Sequence, residues 1–242
     1  MIDHKHKFIF IHVPKCAGTS IERALGYKVG AHKNEKGEIY PHPDPQHWNI
    51  NGILDPSFCK YHTKITGEQL DKTVVENYYK FTFVRNPWDK LVSWYHHHEP
   101  IMLKSKTQTV YPYPVTDSNF RKWIRGGMKT HWDYFPRYGW PREMKKKLEW
   151  RQRWKWSDPI SNLAWLDNSY DIEYDFIGRF ENLHDDYEKV CNDLNIPVKK
   201  LPHHTRSKHR HYTEYYDDET KQIVAEKYAK DIEYFGYEFG HE

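Results

Sequence analysis

The chain has 242 residues, of which 38% are hydrophobic and 17% aromatic, so it is long enough to bury one substantial core. Its formal charge of +3 comes from 37 Lys and Arg against 34 Asp and Glu, a balance that does not by itself predict nucleic-acid binding. A continuous apolar run of about 18 residues and a signal peptide are both absent, which argues against a transmembrane helix. We therefore expect a single domain over residues 1–242.

The three cysteines, Cys16, Cys59 and Cys191, are odd in number and scattered along the chain. They indicate neither a disulfide framework nor the close ligand spacing of a zinc site, and no metal is expected. Such usage favours a reducing compartment. We expect a cytoplasmic protein, or a lumenal one if the chain is a fragment of a membrane-anchored protein.

Residues 7–25, KFIFIHVPKCAGTSIERAL, predict a strand, a small-residue loop and a helix that follow one another without a gap. The apolar run at residues 8–13 is typical of a strand buried on both faces. Pro14 ends that strand because proline cannot donate to the hydrogen-bond ladder of a sheet.

The loop itself predicts an anion site. Ala17 and Gly18 leave room for a ligand near the backbone, and Thr19 or Ser20 can cap the helix that follows. Backbone N–H groups and the helix start then point at one spot, where Lys15 adds a positive charge. This geometry suits a phosphate or a sulfuryl group and does not distinguish between them.

Residues 59–62 form a short strand candidate, and Thr66 with Gln69 resembles a capping box that opens a helix. His62 is therefore predicted at a strand end, in the same rim as the anion loop.

Residues 79–98, YKFTFVRNPWDKLVSWYHHH, repeat the strand–loop–helix pattern. The apolar strand runs into Arg85, after which Asn86 is a good N-cap and Pro87 a good first helical residue. Ser93 lies beside the apolar stripe of the predicted helix, where its hydroxyl is expected to meet the ligand that Arg85 reaches. The pattern predicts a second anion site.

Residues 128–157 are rich in Trp, Arg and Lys and show no clean period, so we interpret them as an insertion. Aromatic and basic side chains of this kind can bind sugar rings and acidic groups, stack on single-stranded nucleic acid, or pack a helical subdomain against the sheet. Acceptor recognition is the role that we expect for this segment.

The C-terminal part predicts a strand at residues 175–177, a helix after it, and a final helix closed by Gly236. Arg179 and Glu181, at the end of that strand, either orient the site or form a structural ion pair. Between the two helices, residues 202–211 form a loop dense in His, Arg and Lys.

Together, VPKCAGTS at residues 13–20 and FVRNPWDKLVSWY at residues 83–95 resemble the nucleotide motifs of sulfotransferases that use 3′-phosphoadenosine-5′-phosphosulfate (PAPS), in particular the carbohydrate sulfotransferase-like branch. The similarity continues through KYHTKIT at residues 60–66, DFIGRFENL at 175–183 and LPHHTRSKHRHYTEYYD at 201–217. It therefore covers most of the chain in the expected order.

This resemblance implies transfer of a sulfuryl group from PAPS to a hydroxyl acceptor of carbohydrate type, with 3′,5′-ADP as the second product and no metal. The residues that it implies for PAPS binding are Lys15, Cys16, Ala17, Gly18, Thr19, Ser20, Arg85, Ser93, Arg206, Ser207 and Lys208. It also implies that Lys15 is catalytic and that His62 is the general base. A His that only hydrogen-bonds a loop is the alternative, and the base would then be Glu22 or Glu181.

Strands followed by helices at four places predict an α/β fold, a mainly parallel sheet with helices on both faces, and the resemblance implies its P-loop-like form. Ligands in such sheets bind beyond the carboxyl ends of the strands. A P-loop kinase or NTPase is an alternative, although Lys15 precedes Gly18 and the order G-x-x-x-x-G-K-[ST] is absent. A basic, aromatic nucleic-acid-binding module is the other alternative, and the nearly neutral charge argues against it.

Overall fold

The structure is a computed structural model, and it describes residues 1–26, 50–54, 56–104, 112, 114–130, 158, 160–166, 171–202 and 210–240. The chain divides into two compact units. The first comprises Met1–Arg85 and Asn162–Thr205, and the second comprises Asn86–Ser161 and Arg206–Glu242. Among the described helices, none is both long and apolar enough to cross a membrane.

In the described part of the first unit, four strands form one sheet in the order β1-β2-β3-β4. The strands are β1 (Ile2–Asp3), β2 (Phe8–Ile11), β3 (Tyr79–Val84) and β4 (Phe176–Arg179). β2, β3 and β4 run parallel, whereas β1 pairs antiparallel with β2. The predicted α/β fold with a mainly parallel sheet is confirmed.

In chain order, the described helices are α1 (Gly18–Ala24), α2 (Ile50–Ile53), α3 (Pro56–Thr66), α4 (Lys72–Asn77), α5 (Pro87–Lys104), α6 (Asp117–Arg125), α7 (Leu163–Leu166), α8 (Leu183–Asp193), α9 (Asp218–Lys227) and α10 (Ala229–Phe235). Short 3₁₀ turns occupy Phe180–Asn182 and Tyr212–Tyr215. Helices α5, α6, α9 and α10 belong to the second unit, and the others belong to the first.

The two faces of the sheet have different cores, because successive side chains of a strand point to opposite sides. Ile9 and Ile11 pack on one face in a cluster with residues of α2 and α4, such as Ile53 and Val75. On the other face, Phe10 stacks on Phe81 with ring centroids 4.9 Å apart. Both faces are covered, which explains the continuous apolar run that predicted β2.

The predicted strand at residues 59–62 is wrong, because this segment lies inside α3. Pro56 stands at the first helical position, where its missing N–H is not needed. The Thr66 hydroxyl donates to the carbonyl oxygen of His62, one turn earlier, at 2.9 Å. α3 ends at Thr66, so the predicted capping box is also wrong: α4 begins at Lys72 and is capped instead by Asp71.

In the second unit, the predicted helix after β3 is confirmed. Asn86 caps α5 by accepting the Trp88 N–H on its side-chain oxygen at 3.1 Å. The apolar stripe of that helix is buried, and Tyr95 packs edge to face on Phe120 of α6. Gly236 closes the chain's last helix with φ 64°, as predicted, but the expected single helix is divided into α9 and α10 at Tyr228.

Candidate functional site

The loop between β2 and α1 contains two non-glycine residues in left-handed backbone conformation, Lys15 with φ 65° and Ala17 with φ 64°. Such strain concentrates at functional sites, and left-handed residues in turns form concave nests of N–H groups that bind anions. α1 begins at Gly18 with Ala17 as its N-cap. Thr19 and Ser20 lie inside the first turn, so the prediction that one of them caps the helix is wrong. Because alanine has no capping side chain, the N–H groups of Gly18 and Thr19 depend on another acceptor, whereas the N–H of Ser20 donates to the Ala17 carbonyl oxygen at 2.8 Å.

Gly18 is required by a close approach of the His12 ring. A Cβ at position 18 would lie 2.4 Å from His12 Cδ2, which is too close for two carbon atoms that are not bonded to each other. The space that the sequence assigned to a ligand at Gly18 is thus filled by an imidazole. His12 Nδ1 in turn lies 3.0 Å from Glu22 Oε1, and both side chains are buried.

Arg85 directly follows β3, so it lies at the same edge of the sheet as the loop after β2. Its Nη1 donates to the backbone oxygen of Lys15 at 3.0 Å. Its Cζ lies 3.7 Å from the centre of the Phe180 ring, and Phe180 directly follows β4. Chain segments from three parallel strand ends therefore meet at one place, as the sequence predicted for Lys15 and Arg85.

The electrostatics of this edge favour a bound anion. Burial, and then the positive charge of Arg85, lower the pKa of Lys15 from 10.5 to about 8. The positive charge of Arg85 disfavours the charged form of Lys15, and a phosphate or sulfate group relieves that repulsion.

Asn162 contacts the backbone of Arg85 and the thiol of Cys16, although no sequence pattern indicated a role for it. The residue is 0% exposed, and its side-chain Nδ2 donates to the carbonyl oxygen of Arg85 at 2.9 Å. Its Oδ1 accepts from the Arg85 N–H at 3.4 Å and from the Cys16 thiol at 3.9 Å. No local pattern marks this position, which lies 77 residues from Arg85 in the chain.

His62 lies near the amino-terminal ends of the strands, whereas the loop with Lys15 follows their carboxyl ends. This corrects its predicted place beside that loop. Its Nε2 is 2.6 Å from Nε2 of His4, and Nδ1 of His4 is 2.6 Å from the Tyr78 hydroxyl. His4 precedes β2 and Tyr78 precedes β3, so this cluster is at the amino ends of the strands. Lys15 and Arg85 follow the carboxyl ends, and the six residues of β3 separate the two edges by about 16 Å at ~3.3 Å per residue.

The surroundings of His62 also affect its ability to accept a proton. Burial, and then the neighbouring His4, lower the pKa of His62 from 6.5 to about 4. An imidazole with so low a pKa is a weaker proton acceptor than an ordinary histidine.

The model of the sulfotransferase family matches residues 1–238. The chain belongs to the sulfotransferase family. The kinase and nucleic-acid-binding alternatives receive no support from this match.

Three relatives show how far the sequence similarity extends. Carbohydrate sulfotransferase 12 of Xenopus laevis is 22% identical over 214 residues, which cover 81% of this chain and 48% of that protein, and the Mus musculus protein of the same name gives the same values. A protein of Archaeoglobus fulgidus described as uncharacterized is 29% identical over 133 residues, covering 53% of this chain and 78% of its own length. The chain thus spans about half the length of the carbohydrate sulfotransferase 12 relatives. No solved structure matches it significantly.

Several residues predicted for PAPS binding belong to the second unit or lie outside the described residues. Ser93 is a buried residue of α5 in the second unit. Arg206, Ser207 and Lys208 lie outside the described residues, as do the tryptophans of residues 132–156. Their roles stay predictions.

Proposed function

We propose that this member of the sulfotransferase family transfers the sulfuryl group of PAPS to a hydroxyl of a carbohydrate acceptor. The observation that carries the proposal is the meeting of Lys15 and Arg85, beside a loop with left-handed backbone, at the carboxyl ends of β2 and β3. Ligands of parallel α/β sheets bind at this edge. The family match makes phosphosulfate the natural anion for the site.

In the proposed reaction, the acceptor oxygen attacks the sulfur of PAPS in line with the bond that joins sulfur to the 5′-phosphate. That bond breaks, and 3′,5′-ADP leaves with its electron pair. We assign Lys15 and the amides of residues 16–19 to the negative charge that develops on the leaving phosphate. A preorganised donor of this kind is worth about 3 kcal/mol of transition-state stabilisation.

We assign Arg85 to the 3′-phosphate of PAPS, because its planar guanidinium suits bidentate contact with phosphate oxygens. Stacking on Phe180 holds the guanidinium plane. The assignments of Ser93, Arg206, Ser207 and Lys208 to the same nucleotide rest on the sequence motifs alone.

The proton of the acceptor hydroxyl needs a base at the carboxyl edge of the sheet, and His62 is at the other edge. Glu181 lies in the exposed turn directly after β4, next to the Phe180 ring on which Arg85 stacks. Glu22, the other carboxylate considered, is 1% exposed and paired with His12. We therefore propose Glu181 as the base.

A carbohydrate acceptor is supported by the relatives named carbohydrate sulfotransferase 12. The Trp-rich insertion is consistent with it, because flat aromatic faces suit sugar rings and the basic residues there suit acidic glycans.

A titration without catalysis tests the nucleotide assignment. We expect calorimetry to show binding of 3′,5′-ADP without Mg²⁺, and weaker binding of 5′-AMP, which lacks the 3′-phosphate. Arg85→Ala should reduce the affinity for 3′,5′-ADP much more than that for 5′-AMP. Preference for ATP with Mg²⁺ would instead indicate a kinase, and a steep salt dependence on oligonucleotides a nucleic-acid-binding module.

A further inference from the structure

Asn162 makes an unusual pair of contacts with the backbone of one residue. Its side-chain amide donates to the Arg85 carbonyl at 2.9 Å and accepts from the Arg85 N–H at 3.4 Å. An asparagine side chain carries the same donor and acceptor as a peptide group. Because β2 pairs with β3 only as far as Thr82, the Asn162 amide replaces a strand partner for the residue that follows β3.

The same amide also contacts the loop after β2. Oδ1 of Asn162 accepts from the thiol of Cys16 at 3.9 Å, and both residues are almost fully buried. One side chain therefore joins the two loops that carry Lys15 and Arg85.

The position of Asn162 is itself fixed by secondary structure. Asn162 immediately precedes α7, and its carbonyl oxygen accepts from the N–H of Trp165 at 2.9 Å. A side chain held in this way can set the peptide planes of Arg85 and hence the direction of its guanidinium.

We propose that Asn162 is a positioning residue that holds Arg85 for recognition of the 3′-phosphate. It also connects Arg85 to the loop between β2 and α1, which carries Lys15. The inference rests on the proposed function, because it supposes that Arg85 contacts that phosphate. Asn162 acts through Arg85 and does not need to touch the ligand. Its loss should therefore reduce discrimination between nucleotides, which a general loss of stability does not do.

The test compares affinities for 3′,5′-ADP and 5′-AMP by calorimetry on the full chain. Asn162→Ala should reduce the ratio of the two affinities by about tenfold, because a buried backbone group left without its partner shifts to satisfy it. Asn162→Asp keeps the shape and the acceptor but loses the donor to the Arg85 carbonyl. Asn162→Asp should show a similar decrease in the affinity ratio, and it replaces Asn162→Ala in the experiment if that variant does not fold.

Thr82→Val is the matched control. The Thr82 hydroxyl is fully buried and donates to the Ile11 carbonyl at 2.8 Å, so this change removes one hydrogen bond between β2 and β3 without touching either loop. It should lower the melting temperature and leave the affinity ratio unchanged. In an Arg85→Ala background, the Asn162 changes should have no further effect on the ratio.

A wild-type affinity ratio near one would overturn the proposed function. A normal wild-type ratio that both Asn162 variants retain would overturn only the role of Asn162. If Thr82→Val lowered the affinity ratio as much as the Asn162 variants do, discrimination between the two nucleotides would depend on protein stability. That result would also reject the role of Asn162.

Discussion

Lys15 combines three features that are unfavourable in a structural lysine: a left-handed backbone, burial and a neighbouring Arg85. Each destabilises the free protein slightly and favours an anion that neutralises the charge. These features are those expected of a residue that binds an anion, in agreement with the role proposed for Lys15.

Lys15→Ala should lower turnover by about 10²-fold or more, since it removes a preorganised charge at the leaving phosphate. Circular dichroism should show an unchanged fold. Lys5→Ala, at an exposed lysine before β2, is the matched control and should turn over normally. Equal activity of the two variants would contradict the assignment of the loop.

The lowered pKa of Lys15 predicts a pH dependence with a definite sign. The free protein should lose kcat/KM as the pH rises through about 8, because the deprotonated amine no longer attracts the phosphosulfate. Lys15→Arg stays charged and should not show this loss, even if its activity is lower. Stability has the opposite trend: between pH 8 and 10.5 the unfolded chain binds a proton that the folded chain does not, so the free energy of unfolding rises with pH.

His62→Gln should retain transfer activity within about twofold, because the imidazole lies at the far edge of the sheet from Lys15 and its low pKa makes it a poor proton acceptor. Acid unfolding supplies a second measurement. As the pH falls from 6.5 to about 4, the unfolded chain gains a proton on His62 that the folded chain does not, so the wild type loses stability that the variant keeps. Loss of transfer with normal nucleotide binding would restore His62 as the base.

At the scale of elements, the start of α1 depends on the contact between Gly18 and His12. Gly18→Ala places a methyl group 2.4 Å from the His12 ring, so the loop or the ring must move. We expect a lower melting temperature and weaker binding of 3′,5′-ADP. His12→Ala in the same chain should recover part of the binding by making space, although it also leaves Glu22 without its imidazole partner. Additive losses in the double variant would contradict a direct clash.

Elements with a strong local pattern were predictable from the sequence. β2 and β3 are continuous apolar runs, and α5 has a capping residue, a first-turn proline and an apolar stripe, all three at their expected positions. The carboxyl ends of parallel strands meet at one edge by geometry, so the meeting of Lys15 and Arg85 could also be predicted.

α3 was missed because four residues considered alone cannot distinguish a strand from one turn of helix. The start of that helix is set by Pro56, outside the predicted window. His62 was placed wrongly as a result, since its proposed role depended on a strand end. Asn162 could not be found from the sequence, because its partners are brought together only by the fold.

At the scale of the whole molecule, the family match covers residues 1–238, whereas the carbohydrate sulfotransferase 12 relatives are about twice as long as the matched region. The two nucleotide motifs fall within this region. The proposed sulfuryl transfer can therefore be tested on this chain alone.

Transfer of label from radiolabelled PAPS to a panel of glycans, phenols and lipids, measured with wild type and Lys15→Ala in parallel, tests the proposed reaction directly. We predict labelled sulfate on a carbohydrate hydroxyl and release of an equal amount of 3′,5′-ADP, both strongly reduced in the variant. Transfer to phenols or lipids and to no glycan would contradict the proposed acceptor. A folded wild type that leaves PAPS intact with every acceptor class would contradict sulfuryl transfer by this chain.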